Sequence, residues 1–528
     1  MHRVLARTLL PALILAAGSL GCTDQVTEPG EESGTAYALR ITPPRAAMSR
    51  GGQRMMNVRV VNKRGRPVRS AKIELTSTDE SVARIERNGK VRGVGKGRTK
   101  IIAVDSTTGV TDTATIEVSD PPTYRAAPTT TAEFILGPQV PLGSQPWPWF
   151  DQMQTAGATK WHQAYMTDAA GADNYYDLGL AIYQLHARSG SAEHVRMARE
   201  VAMKSWLEMP DHSAWTANPN PFGISPRMLP FGSLVMLALE GGNELPEVTF
   251  YNENDASYSK TYALWDYLAD YSRHHYRSWL GARLENDGLW AGVRDGGMLM
   301  HGIAMLAKAH PDAAVRTELT GMVAAASKDY YARLQKTDGS WLWNPGNEED
   351  GNEHFNATQP FMLGLLLEGM IAAHQLTGDA AVGNAIVKGA EAIYRDMYDR
   401  NTVPFSLLPG KQVRGVFYIA YGDQCKPIIG VQQGCGNDFD QAGDSWQAGN
   451  KVKTIRQRNS LVVHAFGYAY KLTNDARFRE WGDDIFGATY GGTSGPNSDG
   501  YVGLANSNKG KEYNQSFRSA GRYLGWRN

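Results

Sequence analysis

The sequence predicts a multidomain chain in which a small all-β sandwich precedes a large all-α domain, an (α/α) toroid. Its 528 residues exceed the length of one ordinary domain. Short β-branched runs separated by turn residues fill the region before residue 120, whereas all 13 tryptophans lie from Trp147 onward. Beyond that point, apolar helical patterns alternate with one-sided ones. These observations separate the chain into two folded parts with different secondary structure.

The first 22 residues have the pattern of an export signal. His2, Arg3 and Arg7 form a positive segment before an apolar run at residues 9–18, which is too short for a permanent membrane span. The run ends near Cys22 and resembles a bacterial lipoprotein signal, which implies that Cys22 carries lipid. Ordinary cleavage without lipid is the alternative. We expect an exported protein, held at the cell surface or outer membrane by this anchor, or otherwise periplasmic or secreted.

A polar tether at residues 23–36 leads into a β-rich module at residues 37–120. Turn signals such as Lys63-Arg64-Gly65 separate the β-branched runs, and this spacing is typical of a small sandwich. The predicted strands cover residues 38–41, 56–60, 71–75, 99–104 and 114–118.

Three motifs in this module carry a family resemblance: I-T-P at 41–43, T-S-T-D-E-S-V-A-R-I at 76–85 and N-G-K-V-R-G-V-G-K-G-R-T-K-I at 88–101. Together they resemble the group 2 bacterial immunoglobulin-like domain. The resemblance implies an immunoglobulin-like sandwich that spaces or anchors other domains on cell surfaces, and it implies no catalysis. The module has 17 basic against 8 acidic residues. This charge is either a solvated surface or a surface that faces an anionic glycan or membrane. No nucleic-acid partner is expected.

A Pro- and Thr-rich linker is predicted at residues 121–148, followed by the toroid at residues 149–528. Residues 361–373 are almost wholly apolar, as in a buried helix, and residues 380–398 have one apolar face. A buried inner helix followed by an outer helix is thus the predicted unit, and an irregular helical solenoid is the alternative. The joins between such helices lie at 186–195, 307–316, 374–383 and 470–479. Less regular helices are expected at 226–240, 257–280 and 513–526.

In such a ring, the loops before the inner helices meet at one end, so their polar side chains converge there. The candidate loops are 172–179, 292–302, 347–361, 455–464 and 511–523. By architecture and composition, the domain resembles (α/α)-toroid polysaccharide lyases and glycoside hydrolases at the level of fold only. The resemblance and the export signal favour action on an extracellular polysaccharide.

The predicted reaction is β-elimination on a uronate-containing glycan, because the candidate loops are rich in Arg, Asn, Gln and Tyr and so favour an anionic substrate. Glycoside hydrolysis is one alternative, and a non-catalytic glycan-binding or scaffold protein is the other. A lyase needs a charge-stabilising Arg, Asn or His and a Tyr or His base. A hydrolase needs paired carboxylates, for which Asp173, Asp177, Asp295, Glu349 and Glu353 are available. The predicted catalytic residues are His354, Asn356, Tyr513, Arg458, Asp177 and Glu353. The predicted substrate-binding residues are Asn174, Tyr175, Arg294, Asp295, Gln359, Asn459, Arg518, Trp290 and Trp343.

The remaining cysteines predict a staple, since Cys425 and Cys435 lie ten residues apart in a loop-like stretch of an exported chain. The closely spaced acids at 436–444 are a weak Ca²⁺ candidate that lacks the spacing of an EF-hand loop. No cofactor and no metal site are otherwise expected. The sequence leaves the oligomeric state open.

Overall fold

The computed structural model describes residues 38–62, 67–68, 71–86, 89–169, 174–210, 221–252, 255–281, 292–341, 357–404, 412–416, 420–421, 427–428, 431–432, 456–491 and 510–528. The predicted export signal, the predicted tether and both remaining cysteines lie outside these residues. Within them, no helix combines the length and apolarity that spanning a bilayer needs.

The first domain is the predicted sandwich. A four-stranded sheet with the order β2-β9-β8-β5 packs with a three-stranded sheet, β3-β7-β6, and with the pair β1-β4 around a core that includes Ile101, Ala114 and Ile116. Inward and outward side chains alternate along β8 and β9, which is why both strands have a period of two in the sequence. The strands are β1 Ala38–Thr42, β2 Arg45–Ser49, β3 Gln53–Met55, β4 Asn57–Val61, β5 Ile73–Ser77, β6 Ala83–Ile85, β7 Lys90–Gly93, β8 Gly97–Asp105 and β9 Thr111–Ser119.

The second domain is helical. Its α-helices are α1 Thr129–Leu136, α2 Pro148–Met166, α3 Leu178–Ser189, α4 Ala192–Leu207, α5 Phe231–Gly241, α6 Leu264–His275, α7 Val293–Ala309, α8 Ala313–Ala324, α9 Pro360–Thr377, α10 Ala380–Asp396, α11 Val463–Thr473, α12 Ala476–Tyr490, α13 Gly510–Phe517 and α14 Ala520–Trp526. Short 3₁₀ or π segments occur at Gly242–Glu244, Tyr276–Gly281, Ala325–Ala332 and Arg456–Leu461. The remaining strands form small pairs: β10 Val248–Asn252, β11 Asp255–Tyr262, β12 Ala357–Thr358, β13 Tyr398–Pro404, β14 Gln412–Val416, β15 Ala420–Tyr421, β16 Pro427–Ile428 and β17 Val431–Gln432.

The inner helices close into a ring. Each of α3, α5, α7, α9 and α11 contacts the next; α11 then contacts α14, and α13 contacts α3. The outer helices α4, α8, α10 and α12 pack behind the inner helices that precede them. This architecture is the predicted (α/α) toroid. The apolar character of α9 follows from its place between α7 and α11, where residues Pro360 to Ala373 are all buried.

The predicted joins are real helix boundaries. Asp312, Asp379 and Asp475 cap α8, α10 and α12 by accepting backbone N–H groups with their side chains. Gly190 and Gly378 end α3 and α9 with positive φ angles, a conformation in which glycine carries no steric cost. Local residue chemistry therefore dictates where these hairpins turn.

The segment predicted as a linker at 121–148 contains the helix α1. Ile135 and Leu136 of this helix are buried in the toroid core, so part of the segment is packed structure. The sequence pattern does not predict α1, because the helix starts with polar threonines and an apolar pair within one turn is too short to show a helical period. The final predicted helix at 513–526 is likewise two helices, α13 and α14, with Arg518 and Ser519 between them.

The sandwich rests on the outer surface of the toroid, at α2 and α4. Lys90 on β7 donates from Nζ to the carbonyl oxygen of Thr167 at 2.7 Å and lies 3.7 Å from Oδ2 of Asp168. Asp168 also accepts from Lys204 on α4 at 2.8 Å. On β3, which pairs with β7, Arg54 donates to the carbonyl oxygen of Leu207 at 3.5 Å. Charged side chains therefore bridge the two domains.

Candidate functional site at the mouth of the toroid

The loops that precede the inner helices meet at one end of the ring, which we call the mouth. Asn514 on α13 donates to the carbonyl oxygen of Tyr175, just before α3, at 2.8 Å. Arg458, before α11, donates to Oε1 of Gln515 on α13 at 2.6 Å. The Arg458 guanidinium also lies 4.7 Å from the ring centroid of Phe361 in the first turn of α9. Loops that are hundreds of residues apart in sequence thus contact one another here.

Two adjacent tyrosines lie at this mouth. The rings of Tyr175 and Tyr176 meet edge to face with centroids 4.4 Å apart. Tyr176 is buried, whereas Tyr175 is partly exposed. Tyr176 and Asp177 both have positive φ angles, 69° and 68°, a region that non-glycine residues rarely occupy. Such strain persists only where surrounding contacts hold it, and it is concentrated at functional sites.

Three cations from other loops surround the pair. Lys511 places its Nζ 4.5 Å from the centroid of Tyr175. Burial raises the pKa of Tyr176 above its ordinary value, and Tyr175 adds to the rise, while Arg458 and Arg294 act in the opposite direction. Arg294 and Arg458 are therefore within electrostatic range of the Tyr176 phenol. We call Tyr175, Tyr176, Arg294, Arg458 and Lys511 the tyrosine cluster.

Arg294 keeps its charge at this half-buried position. Burial works against its charged form, but Asp295 and the two tyrosines outweigh burial and raise the pKa of Arg294. Asp295 accepts from Nε and Nη2 of Arg294 at 3.2 and 3.3 Å. Arg294 and Asp295 thus form a local ion pair at the start of α7.

Two polar atoms at the mouth have no hydrogen-bond partner among the described residues. They are Nε of Arg458 and Oε1 of Gln359, and both atoms are buried. Unpaired buried polar atoms cost free energy in a folded protein, so each needs an explanation. Arg458 belongs to the tyrosine cluster, and Gln359 directly precedes α9 at the same mouth.

Three other predicted site residues make structural hydrogen bonds. Asp177 caps α3 by accepting from the N–H of Leu180 and also accepts from the N–H of Ser233 on α5, both at 3.0 Å. Burial raises the pKa of Asp177. Asn174 accepts from the N–H of Leu178 at 2.7 Å, and Asn459 accepts from the N–H of Val416 at 2.9 Å. These side chains shape the mouth by holding its backbone.

Tyr513 and Arg518 lie deeper than the tyrosine cluster. Tyr513 is 1% exposed and donates its hydroxyl to the carbonyl oxygen of Gln154 at 2.9 Å. Arg518 donates from Nε to Glu368 on α9 at 3.0 Å and from Nη1 to the carbonyl oxygen of Tyr176 at 3.5 Å. Arg518 therefore connects the floor of the mouth to the interior of the ring.

Around Glu368 lies a buried charge network, made of Glu368, Arg518, Arg522, His301 and His464. Arg522 donates to Oε1 of Glu368 at 3.2 Å, and His301 lies 3.7 Å from the same carboxylate. Burial raises the pKa of Glu368, yet Arg518, His301 and Arg522 outweigh burial and lower it to about 2. The network ties α7, α9, α11 and the α13–α14 junction together along the ring.

Several predicted residues lie outside the described residues. They are His354, Asn356, Glu353, Glu349, Asp173, Trp290, Trp343, Cys22, Cys425 and Cys435, together with the Ca²⁺ candidate at 436–444. Their roles stay predictions. Among the described residues, no group of three His, Cys, Asp or Glu side chains is arranged to hold a metal ion.

Sequence reasoning missed three members of this site. Tyr176 was overlooked beside Tyr175, while Lys511 and Phe361 were treated only as parts of loops. The available signal was the Y-Y-D run directly before a buried helix, where two aromatic residues occupy a tight helix entrance. The contact between Lys511 and Tyr175 joins residues more than three hundred positions apart, so no local pattern reports it.

The fold and the mouth define a class: a two-domain protein with a β-sandwich attached to a helical toroid whose mouth is aromatic and cationic. Residues 37–118 match the family of the bacterial Ig-like domain (group 2), which confirms the resemblance of the first domain. That match covers the sandwich alone. No curated protein matches the chain.

Two solved structures are similar at low identity. One is a polysaccharide lyase, with a TM-score of 0.30 and 9% identity, over 85% of this chain and 57% of that chain. The other is a family 76 glycoside hydrolase from a bovine Bacteroides thetaiotaomicron strain, with a TM-score of 0.28 and 10% identity, over 94% and 98%. This chain spans little more than half of the lyase's length. TM-scores this low leave the reaction to be argued from the side chains of this chain.

Proposed function

We propose that the toroid cleaves a uronate-containing extracellular polysaccharide at its mouth by β-elimination. The observation that carries the proposal is the tyrosine cluster, in which two tyrosine rings in edge-to-face contact lie beside Lys511 and within electrostatic range of Arg294 and Arg458. Three cations around one polar, partly open site favour an anionic substrate. The export signal and the immunoglobulin-like module support an extracellular polymer as the target.

The cations provide the electrostatic part of the reaction. Removing the proton at C5 of a uronate builds negative charge on the neighbouring carboxylate, and that charge needs fixed donors. Arg458 offers a buried Nε without a partner among the described residues, and Arg294 keeps its charge against burial. A guanidinium presents two parallel N–H groups to a carboxylate, which suits this task better than a lysine does.

The tyrosine pair supplies proton transfer. Tyr175, the more exposed of the two, acts in its deprotonated form and takes the C5 proton, while the buried Tyr176 stays protonated and packs against the Tyr175 ring. The C5–H and C4–O4 bonds break, a C4=C5 double bond forms, and the proton passes to the departing O4. Tyr513 was one candidate base beside His354, but the Tyr513 hydroxyl is already donated inside the protein. The proposal therefore assigns proton transfer to Tyr175.

The hydrolase alternative requires two carboxylates that flank a bond. Among the described residues at the mouth, Asp177 is bound to two backbone N–H groups and Asp295 is paired with Arg294. The other candidate acids lie outside the described residues. No observation thus favours hydrolysis over elimination.

The test compares two matched hydroxyl deletions on a panel of polygalacturonate, alginate and chondroitin sulfate. Tyr175→Phe is expected to lower kcat by about 100-fold or more, the range of general acid–base catalysis. Tyr513→Phe removes a hydroxyl from a buried structural bond and is expected to lower stability by about 1 kcal/mol with kcat nearly unchanged. A large loss of kcat in Tyr513→Phe, with kcat nearly unchanged in Tyr175→Phe, would indicate Tyr513 as the base and overturn the assignment to Tyr175.

A further inference from the structure

The outward face of the four-stranded sheet carries aligned rows of polar side chains. Arg45 on β2 and Lys100 on β8 both pair with Thr115 on β9, so the three residues stand side by side across three strands. Residues two positions along form a second row, in which Glu117 pairs with Ala47 and Arg98. Arg45 and Lys100 are two strands apart, about 10 Å.

The toroid covers this face without filling the space in front of it. A cleft of about 620 Å³ lies between the sheet and the toroid, with Leu207, Pro210 and the β10 segment as its opposite wall. This volume is within the range of small-molecule binding sites, about 300–1,000 Å³. Arg54, 5% exposed, lies at one side and is bonded to the carbonyl oxygens of Ala47 and Leu207. Both domains thus build the cleft.

The charge of the cleft is positive. Its basic lining residues are Arg45, Arg54, Arg98 and Lys100, and its acidic lining residues are Glu117 and Glu247. Arg98 is paired with Glu117 at 2.8 Å, whereas Arg45 and Lys100 have no ion-pair partner among the described residues. Arg45 and Lys100 are exposed and lie on either side of Thr115, so two positive charges and one hydroxyl group form a row across the sheet.

We propose that this cleft is a second binding site, for a short anionic oligosaccharide bearing carboxylate or sulfate groups. Arg45 and Lys100 bind two charges of the sugar chain, and Thr115 between them donates to or accepts from its hydroxyl groups. The site lies apart from the mouth and is shared by the sandwich and the toroid. The inference rests on the proposed function only in supposing that its ligand belongs to the same polymer class as the substrate.

The recessed geometry separates this ligand from a membrane surface. A bilayer presents a broad plane, while Arg45 and Lys100 face a cleft closed on its far side by Leu207 and Pro210. A flexible chain of sugar rings can enter such a space. An anionic oligosaccharide and an anionic membrane surface can therefore be distinguished by experiment.

The experiment measures binding of a short oligogalacturonate to the full exported chain by titration calorimetry at two salt concentrations. The double variant Arg45→Ser/Lys100→Ser is expected to weaken binding by at least 10-fold. Glu247→Gln removes an opposing rim charge and is expected to strengthen it, so the proposal stays testable if the double variant folds poorly. Added NaCl is expected to weaken binding in the wild type, because exposed charges are screened.

The matched control removes the same charge elsewhere on the sandwich. Lys72→Ser/Arg84→Ser changes two exposed basic residues that do not line the cleft and is expected to leave affinity unchanged. Equal weakening by both double variants would indicate a net-charge effect and overturn the site. Unchanged affinity in Arg45→Ser/Lys100→Ser, or binding to phosphatidylglycerol vesicles without binding to the oligosaccharide, would also overturn it.

A mouth variant separates this inference from the proposed function. Arg458→Ala removes a mouth cation but is expected to preserve oligosaccharide binding at the cleft. If no polymer is cleaved while binding still depends on Arg45 and Lys100, the proposed function fails and the second site stands. If polymer is cleaved and the affinity for the oligosaccharide does not depend on Arg45 and Lys100, only the second site fails.

Discussion

Arg518 holds its Nε 3.0 Å from Oε2 of Glu368, and both side chains are buried in the interior of the toroid. The same guanidinium donates to the backbone of Tyr176, which belongs to the tyrosine cluster. One buried ion pair thus supports both the ring of inner helices and the floor of the mouth. Removing either charge leaves the other uncompensated in the interior.

Glu368→Gln is therefore expected to destabilise the toroid by about 3–5 kcal/mol, the range for breaking one side of a buried ion pair. Urea unfolding followed by helical circular dichroism measures the change. Glu193→Gln is the control, because Glu193 pairs with Arg196 at the exposed surface of α4 and its loss should barely move the midpoint. A midpoint equal to wild type in Glu368→Gln would show that the network carries no stability.

Stability is expected to fall in acid because burial lowers the pKa of several histidines, of which His301 and His464 belong to the Glu368 network. Burial lowers the pKa of His301 to about 3 and that of His464 to about 4, so both stay neutral in the folded state. The unfolded chain binds protons below pH 6.5 that the folded chain does not. Their stability contribution is hence complete above pH 6.5. It is lost as the pH falls to about 3 for His301 and to about 4 for His464, at about 1.4 kcal/mol per pH unit for each histidine.

Glu368 adds to the same trend at lower pH. Its pKa is about 2 in the folded state against an ordinary 4.5, so its contribution is present above pH 4.5 and lost as pH falls to 2. Thermal melts from pH 7.5 to pH 4.5 isolate the histidine part. His464→Met should flatten the slope in that window, and an unaltered slope would contradict the neutral buried His464.

Asp177 offers a test between a structural and a catalytic role. Asp177→Ala removes the cap of α3 and the acceptor for the Ser233 N–H, and a loss of about 2 kcal/mol is expected. Asp177→Asn keeps one side-chain oxygen as an acceptor and should lose less stability while turnover persists. Abolished turnover in a stably folded Asp177→Asn would instead support the predicted catalytic carboxylate.

Lys90 is expected to hold the sandwich against the toroid. Lys90→Met removes the donor to Thr167 and the charge beside Asp168, so limited trypsin digestion should cut between the domains faster. Lys90→Arg retains the charge and should resist digestion nearly as well as wild type. Equal cleavage rates for wild type and Lys90→Met would show that the remaining interface is sufficient.

The domain order and the toroid could be predicted because local chemistry determines them. Asp379 and Gly378 mark a helix start and end in sequence as well as in structure, and residues 361–373 reveal a buried helix by composition alone. Five strands of the sandwich were predicted within a few residues. Strands β2, β3, β6 and β7 were not predicted. Of these, β3 and β6 have only three residues, which are too few to establish a period of two.

The site could be predicted only in part. The convergence of Tyr175, Arg294 and Arg458 follows from ring topology, which places the loops before inner helices at one end. The depth of each side chain does not follow from it: Tyr513 and Arg518 belong to the same predicted loop as Lys511, yet helical periodicity directs them inward. A difference of two residues along α13 separates a buried tyrosine from a partly exposed lysine.

The central claim is tested most directly by the product that wild-type protein and the Tyr175→Phe and Arg458→Ala variants form from polygalacturonate, alginate and chondroitin sulfate. Elimination by the tyrosine cluster predicts unsaturated chain ends with ultraviolet absorbance in the wild type and a loss of about 100-fold or more in both variants. Saturated reducing ends, or unsaturated ends formed equally well by both variants, would contradict it.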